Sequence, residues 1–206
     1  MTHDNNGPQS GSATPLELLR TPPPKERADA ARNRAAVLEA AARLFTEHGV
    51  EAVSMDQVAA AAGVGKGTLF RRFGDKSGLA AALLDAREHV LQEAVLSGPP
   101  PLGPGAPADE RLAAFLDAYF DYLLEHLALV RMSETSAAGA RYRIGAYRFW
   151  HRHVAILLAT TSDPDPDHTA HALLAAVAAE HVAALLPELG EQRMRTGLLR
   201  LARSAM

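Results

Sequence analysis

The stretch SMDQVAAAAGVGKGTLFRRFGDK, residues 54–76, decides how this sequence is read. Ser54 and Gln57 stand three residues apart ahead of an alanine-rich run, the pattern of a capping box. In that motif the serine hydroxyl meets the backbone N–H of Gln57, and the glutamine side chain reaches back to the backbone of Ser54. The helix begun there is short, because Gly63 suits the left-handed backbone that ends helices. A further helix is expected from Lys66 to Phe73, closed by Gly74, and Asp75 is placed to cap a long fourth helix that runs to about Leu96.

Two helices joined by a tight glycine turn form a device for reading DNA, in which the first crosses the backbone and the second lies in the major groove. Leu69 and Phe73, at i and i+4, anchor the second helix on a core. Lys66, Gly67, Thr68, Arg71 and Arg72 are then left for the opposite side. Gly67 has no side chain to hold the backbone away from a ligand, and Thr68 offers a hydroxyl and a methyl suited to phosphate or thymine. Between Gly65 and Lys76 four cations face one anion, Asp75. Charge alone equally describes a solvated helix face, so the geometry carries the reading. The segment GVGKGT also resembles a phosphate-cradling loop, but that loop follows a buried β-strand. Here Met55 to Ala62 is a capped, alanine-rich helix, and Ala60 stands where the first glycine would be.

Upstream, Val37, Leu38, Ala41, Leu44 and Phe45 share one face of a first helix running from Arg27 to His48, with Gly49 behind it. Lys25, Arg27, Arg32 and Arg34 precede that face and could form a basic arm toward a minor groove or neighbouring phosphates. Residues 1–24 are polar and proline-rich, and are expected to be a disordered tail. Downstream, the buried face of the fourth helix is expected to hold Leu79, Leu83, Val90 and Leu91. A proline- and glycine-rich loop follows at 97–107. Further helices are expected at about 109–125, 127–132, 138–159, 167–185 and 191–203.

The composition, rich in alanine and leucine and poor in alternating β-branched runs, points to an all-α chain. Cysteine is absent from the 206 residues, which excludes disulfides and thiolate metal sites. The start lacks the pattern of a signal peptide and no apolar run approaches a membrane span, so a cytoplasmic protein without a membrane partner is expected. The formal net charge of -3 does not oppose nucleic-acid binding, since the placement of positive charge decides. No Ser/His/Asp or paired-carboxylate arrangement supports catalysis, and an enzyme is not expected. His168 and His171 at i, i+3 could share a face toward a metal. His151 and His153 at i, i+2 cannot, and no carboxylate stands at a persuasive spacing. Neither a metal nor another cofactor is expected.

The pattern Ala59-x3-Gly63-Val-x-Lys66-Gly67-Thr68-Leu69-Phe70-x-x-Phe73-x-Asp-Lys76-x-x-Leu79, with Leu44-Phe45-x3-Gly49 and Ser54 to Val58 upstream, resembles the TetR family of bacterial transcriptional regulators. The resemblance covers about 50 residues. It implies that Thr68, Phe70, Arg72 and Lys76 contact DNA and that Ser54 lies near a phosphate. Phe70 stands where the family usually has tyrosine, Arg72 where it often has histidine, and Gly65 where serine is frequent. By the same resemblance residues 25–75 form the helix-turn-helix domain, and the fourth helix joins them to a helical regulatory and dimerisation domain within 76–206. That domain would bind a small-molecule effector, with Tyr119, His126, Met132, Tyr147 and Trp150 as lining candidates. It would form a homodimer through Leu173, Val177, His181, Leu185, Leu198 and Leu201. The implied function is a ligand-released repressor that binds double-stranded DNA at a near-palindromic operator. The alternative is a small helical enzyme or metal-binding protein that keeps the helix-turn-helix as scaffold.

Overall fold

The structure is a computed structural model that describes residues 25–206, with side chains described from residue 29 onward. The tail expected at 1–24 and the side chain of Arg27 lie outside the described residues. The described residues contain no strand. Their helices are α1 (Lys25–His48), α2 (Met55–Ala61), α3 (Lys66–Phe73), α4 (Lys76–Ser97), α5 (Ala108–Glu125), α6 (Leu127–Glu134), α7 (Ala140–Arg143), α8 (Gly145–Leu158), α9 (Pro166–Ala175), α10 (Ala179–Leu189) and α11 (Glu191–Ser204).

Two apolar cores organise them. The first gathers Val37, Ala41 and Phe45 of α1, Val53, Val58 of α2, Leu69 of α3 and Leu79 of α4. The second gathers Leu112, Phe115 and Tyr119 of α5, Trp150 and Leu158 of α8, Leu174 of α9, Val182 of α10 and Leu198 of α11. Helix α4 belongs to both, entering the first core with Leu79 and the second with Leu84 and Val95. Arg195 of α11 fastens that helix to α5 through Asp117 and Asp121, with its guanidinium over the Phe120 ring.

The local signals around residues 54–76 give the geometry they encode. The Ser54 hydroxyl accepts from Gln57 N–H while Gln57 Oε1 accepts from Ser54 N–H at 2.7 Å. Gly63 takes φ +65°, Gly74 takes φ +76°, and Asp75 caps α4 by accepting from Gly78 N–H at 2.9 Å.

Three expectations change further along. Val90 is 68% exposed rather than buried. The inward stripe of α4 is Ala80, Leu84, Glu88, Leu91 and Val95, the 3.6-residue repeat, and it carries a glutamate where apolarity alone would not place one. The single helix expected at about 138–159 is two, parted at Ile144, whose extended backbone (ψ 133°) starts α8. The single helix expected at about 167–185 is also two, α9 and α10. The break at Ala176–Ala178 contains neither glycine nor proline; Glu134, far away in sequence, accepts from Ala179 N–H at 2.9 Å and so caps α10. Among the described residues no single helix is long and apolar enough to cross a membrane. Only α9 and α10 together reach that apolarity, and they are bent by 51° at the break.

Candidate nucleic-acid interface and interior cavity

Helix α3 has one buried and one open side. Leu69 is only 1% exposed and Phe73 is half-buried on the first core, whereas Lys66, Gly67, Phe70, Arg71 and Arg72 are exposed and Thr68 is partly so. No acidic residue lies in α3. A Cβ placed on Gly65 or Gly67 would meet no atom within 4 Å, so the backbone at the start of α3 is open to close approach. Phe70, 46% exposed, presents an aromatic face on the same helix.

The cations of this region divide by what holds them. Lys66 pairs with Asp56 of α2 at the surface. Arg72 donates from Nη1 to Ala30 O of α1 at 2.6 Å, and Arg32 pairs with Asp29 within α1. Arg71 makes no hydrogen bond or ion pair to any described residue. Lys76 has a different situation: its Nζ donates to Glu51 O at 3.0 Å and Val53 O at 2.8 Å. It therefore ties the loop between α1 and α2 to the start of α4. The contact with DNA implied for Lys76 competes with these two bonds, and those implied for Lys66 and Arg72 compete with one each. Ser54 spends its hydroxyl on the capping box yet stays exposed at the N-terminus of α2.

In the second core, Tyr119, Tyr147 and Trp150 come together around an interior cavity of about 20 Å³. Sequence reasoning missed its polar wall. Glu88, Tyr122, Ser133 and Glu134 line the same cavity. Tyr122 donates to Glu88 Oε1 at 3.2 Å. Glu134 forms an ion pair with the buried Arg141, which also donates to Leu174 O at 2.7 Å and lies 5.1 Å over the Tyr147 ring. Burial pushes the carboxyls of Glu88 and Glu134 up from their ordinary range; for Glu134 the Arg141 charge opposes that rise. Burial likewise pushes the hydroxyls of Tyr119 and Tyr122 well up, so both stay neutral. The available sequence signal was Glu88, a charged residue on the inward stripe of α4.

Two candidates for this cavity lie elsewhere. His126 lines a groove between α1, α4 and α6 and packs edge-on to Tyr122. Met132 packs against the first core with Leu129. His126, at the N-cap of α6, and Met132 within it both face the helix-turn-helix side, because the other face of α6 supplies Val130, Ser133 and Glu134 to the cavity.

Of the residues expected at a dimer face, Leu173, Val177 and Leu198 are buried in the chain's own second core. His181 and Leu201 are exposed, Leu185 is half-buried, and an open groove of about 820 Å³ between α10 and α11 is lined by His181, Leu189, Met194 and Leu201. The histidines also separate. His153 packs edge-on to Phe115, and burial pushes its imidazole down to about 4, helped by the Arg111 charge. His151 points to the other side of α8, against α9.

Residues 37–83 match the family model described as "Bacterial regulatory proteins, tetR family". An HTH-type transcriptional regulator of Staphylococcus aureus strain USA300 is 51% identical over 53 residues, which are 26% of this chain and 29% of that relative. The chain thus matches less than a third of the length of these curated relatives. The fold extends further. A TetR-family transcriptional regulator from Pectobacterium atrosepticum aligns over 86% of this chain and 94% of its own, with a TM-score of 0.62 and 22% identity. A TetR-like regulator from Rhodococcus sp. RHA1 aligns over 83% and 93%, with a TM-score of 0.55 and 25% identity. Residues 37–83, the heart of the first core, therefore form a domain like those of the tetR family of bacterial regulatory proteins, set in a helical fold similar to that of these solved regulators.

Proposed function

We propose that this chain is a DNA-binding transcriptional regulator, working as a homodimer that represses from a near-palindromic operator until an effector releases it. One observation carries the reading: α3 is anchored by Leu69 and turns Lys66, Gly67, Thr68, Phe70, Arg71 and Arg72 outward without an acidic residue among them. Such a face fits the major groove, where Arg71 and Arg72 suit phosphate or guanine and Thr68 suits thymine. The partner face is the α10–α11 groove with His181 and Leu201, flanked by the half-buried Leu185, and an isologous pairing there would present two α3 helices to one two-fold symmetric operator.

The effector site is the cavity walled by Tyr119, Tyr147 and Trp150. At about 20 Å³ it has room for one water, far below the several hundred Å³ of a typical ligand pocket. An effector therefore enters only if the walls part. Helix α6 is one wall, and Leu129 and Met132 on its other face pack against the first core. Parting the wall moves α6 against the helix-turn-helix, and α4, which lines the same cavity with Leu84 and Glu88, adjusts with it. The effector must bind the displaced state more tightly, and coupling of about 1–3 kcal/mol suffices for release.

Selection of bound sequences from random DNA tests the reading. The expected result is a two-fold symmetric consensus for the wild-type chain and a changed base preference for Thr68→Ala. Recovery of no consensus, or an identical one for both proteins, contradicts it.

A further inference from the structure

Outside the sites described above, the contact between α8 and α9 assembles a set of metal-binding groups. His151 of α8, Asp167 and His171 of α9 each bring one donor atom within 4.8 Å of the other two. Asp167 and His171 are one turn apart at i, i+4 in the first turns of α9, so both face α8. His151 Nε2 lies 3.6 Å from Asp167 Oδ1 and 3.1 Å from Asp167 O. The rings of His151 and His171 stack with centroids 3.8 Å apart. Tyr147 pairs its hydroxyl with His171 Nδ1 at 2.6 Å, which orients the imidazole and leaves Nε2 for another partner.

We propose that His151, Asp167 and His171 form a site for a borderline divalent transition cation, with Zn²⁺ as the representative. Two imidazoles and one carboxylate are a donor set suited to such ions rather than to Mg²⁺ or Ca²⁺, which take oxygen ligands. Bonds of about 2.0–2.2 Å to all three residues require the donor atoms to close by roughly an ångström and the stacked rings to splay, since a coordinated ion lies in the plane of each imidazole. Asp167 is exposed and adjusts its rotamer freely, and its position leaves the remaining coordination places to water. Tyr147 acts as the outer support of His171. Its ring also walls the interior cavity, so the ion clamps α8 to α9 directly behind that wall. The spacing His168/His171 considered from sequence is not the one used, and the carboxylate that sequence spacing did not single out is Asp167.

Titration of the metal-free full chain, without any affinity tag, with ZnCl₂ in a calorimeter tests the site. The expected result is about one Zn²⁺ per chain in the micromolar range and a rise in Tm on saturation. His151→Ala, His171→Ala and Asp167→Asn each weaken that binding at least tenfold, while His89→Ala on α4 leaves it unchanged. Asp167→Asn alters an exposed side chain and keeps its shape, so a folded variant is secured. Absence of Zn²⁺ uptake at about 100 μM, or uptake that all three substitutions leave unchanged, overturns the proposal. Neither outcome bears on DNA binding, which is read separately.

Discussion

Lys76 shows how far a residue's role depends on contacts its neighbours in sequence do not reveal. As part of a motif it is one more cation beside Arg71 and Arg72; in the fold its ammonium bridges two carbonyls, Glu51 O and Val53 O. Hydrogen bonds to a charged group are worth about 1.5–3 kcal/mol each when intact, less where water competes. Lys76→Met is therefore expected to destabilise the chain by about 1–3 kcal/mol, read as a lower urea midpoint at unchanged slope. Arg71→Ala, a surface change, should stay within about 0.5 kcal/mol of wild type. Equal stability of Lys76→Met and wild type would remove Lys76 from the loop. Ser54, Gly63, Gly74 and Asp75 present the opposite case, since caps and turns are set by residues within four positions of one another, and all four adopt the geometry their sequence implies.

At the level of elements, helix ends set by local residues are legible in the sequence and those set by tertiary contacts are not. α3 runs from Lys66 to Phe73 as its flanking glycines dictate. The separation of α9 from α10 has no such mark, because the group that accepts from Ala179 N–H belongs to Glu134 on α6. The same carboxylate pairs with Arg141, whose other hydrogen bond goes to Leu174 O just before the break. One buried ion pair thus organises α6, α7, α9 and α10. Removing one partner leaves an uncompensated buried charge as well as an uncapped helix, so Glu134→Ala is expected to cost about 3–5 kcal/mol in urea unfolding. A loss below about 1 kcal/mol would show that the pair does not hold the junction. In α4 the inward stripe passes through Glu88 while the apolar Val90 faces outward, so apolarity alone does not mark its buried face.

For the molecule as a whole, the helix-turn-helix was legible because its function, capping and packing all reside in one continuous stretch. The second core was legible only as helices with an apolar character. Its cavity joins α4, α5, α6 and α8, and its aromatic walls Tyr119, Tyr147 and Trp150 could be named while the polar wall of Glu88, Tyr122 and Glu134 could not. His126 at the N-cap of α6 and Met132 within it, expected from sequence at that wall, lie instead on the side that meets the first core. That displacement is informative, since it identifies α6 as the element shared by the cavity and the first core. The central claim is that α3 engages DNA through its open, acid-free face. Its most direct test is the affinity for the selected sequence between about 50 and 200 mM salt, compared for wild type and Arg71→Ala. A steep linear fall of log affinity with log salt is expected for wild type, and a slope smaller by about one unit for Arg71→Ala. A wild-type affinity indifferent to salt, or the same slope for both proteins, would contradict it.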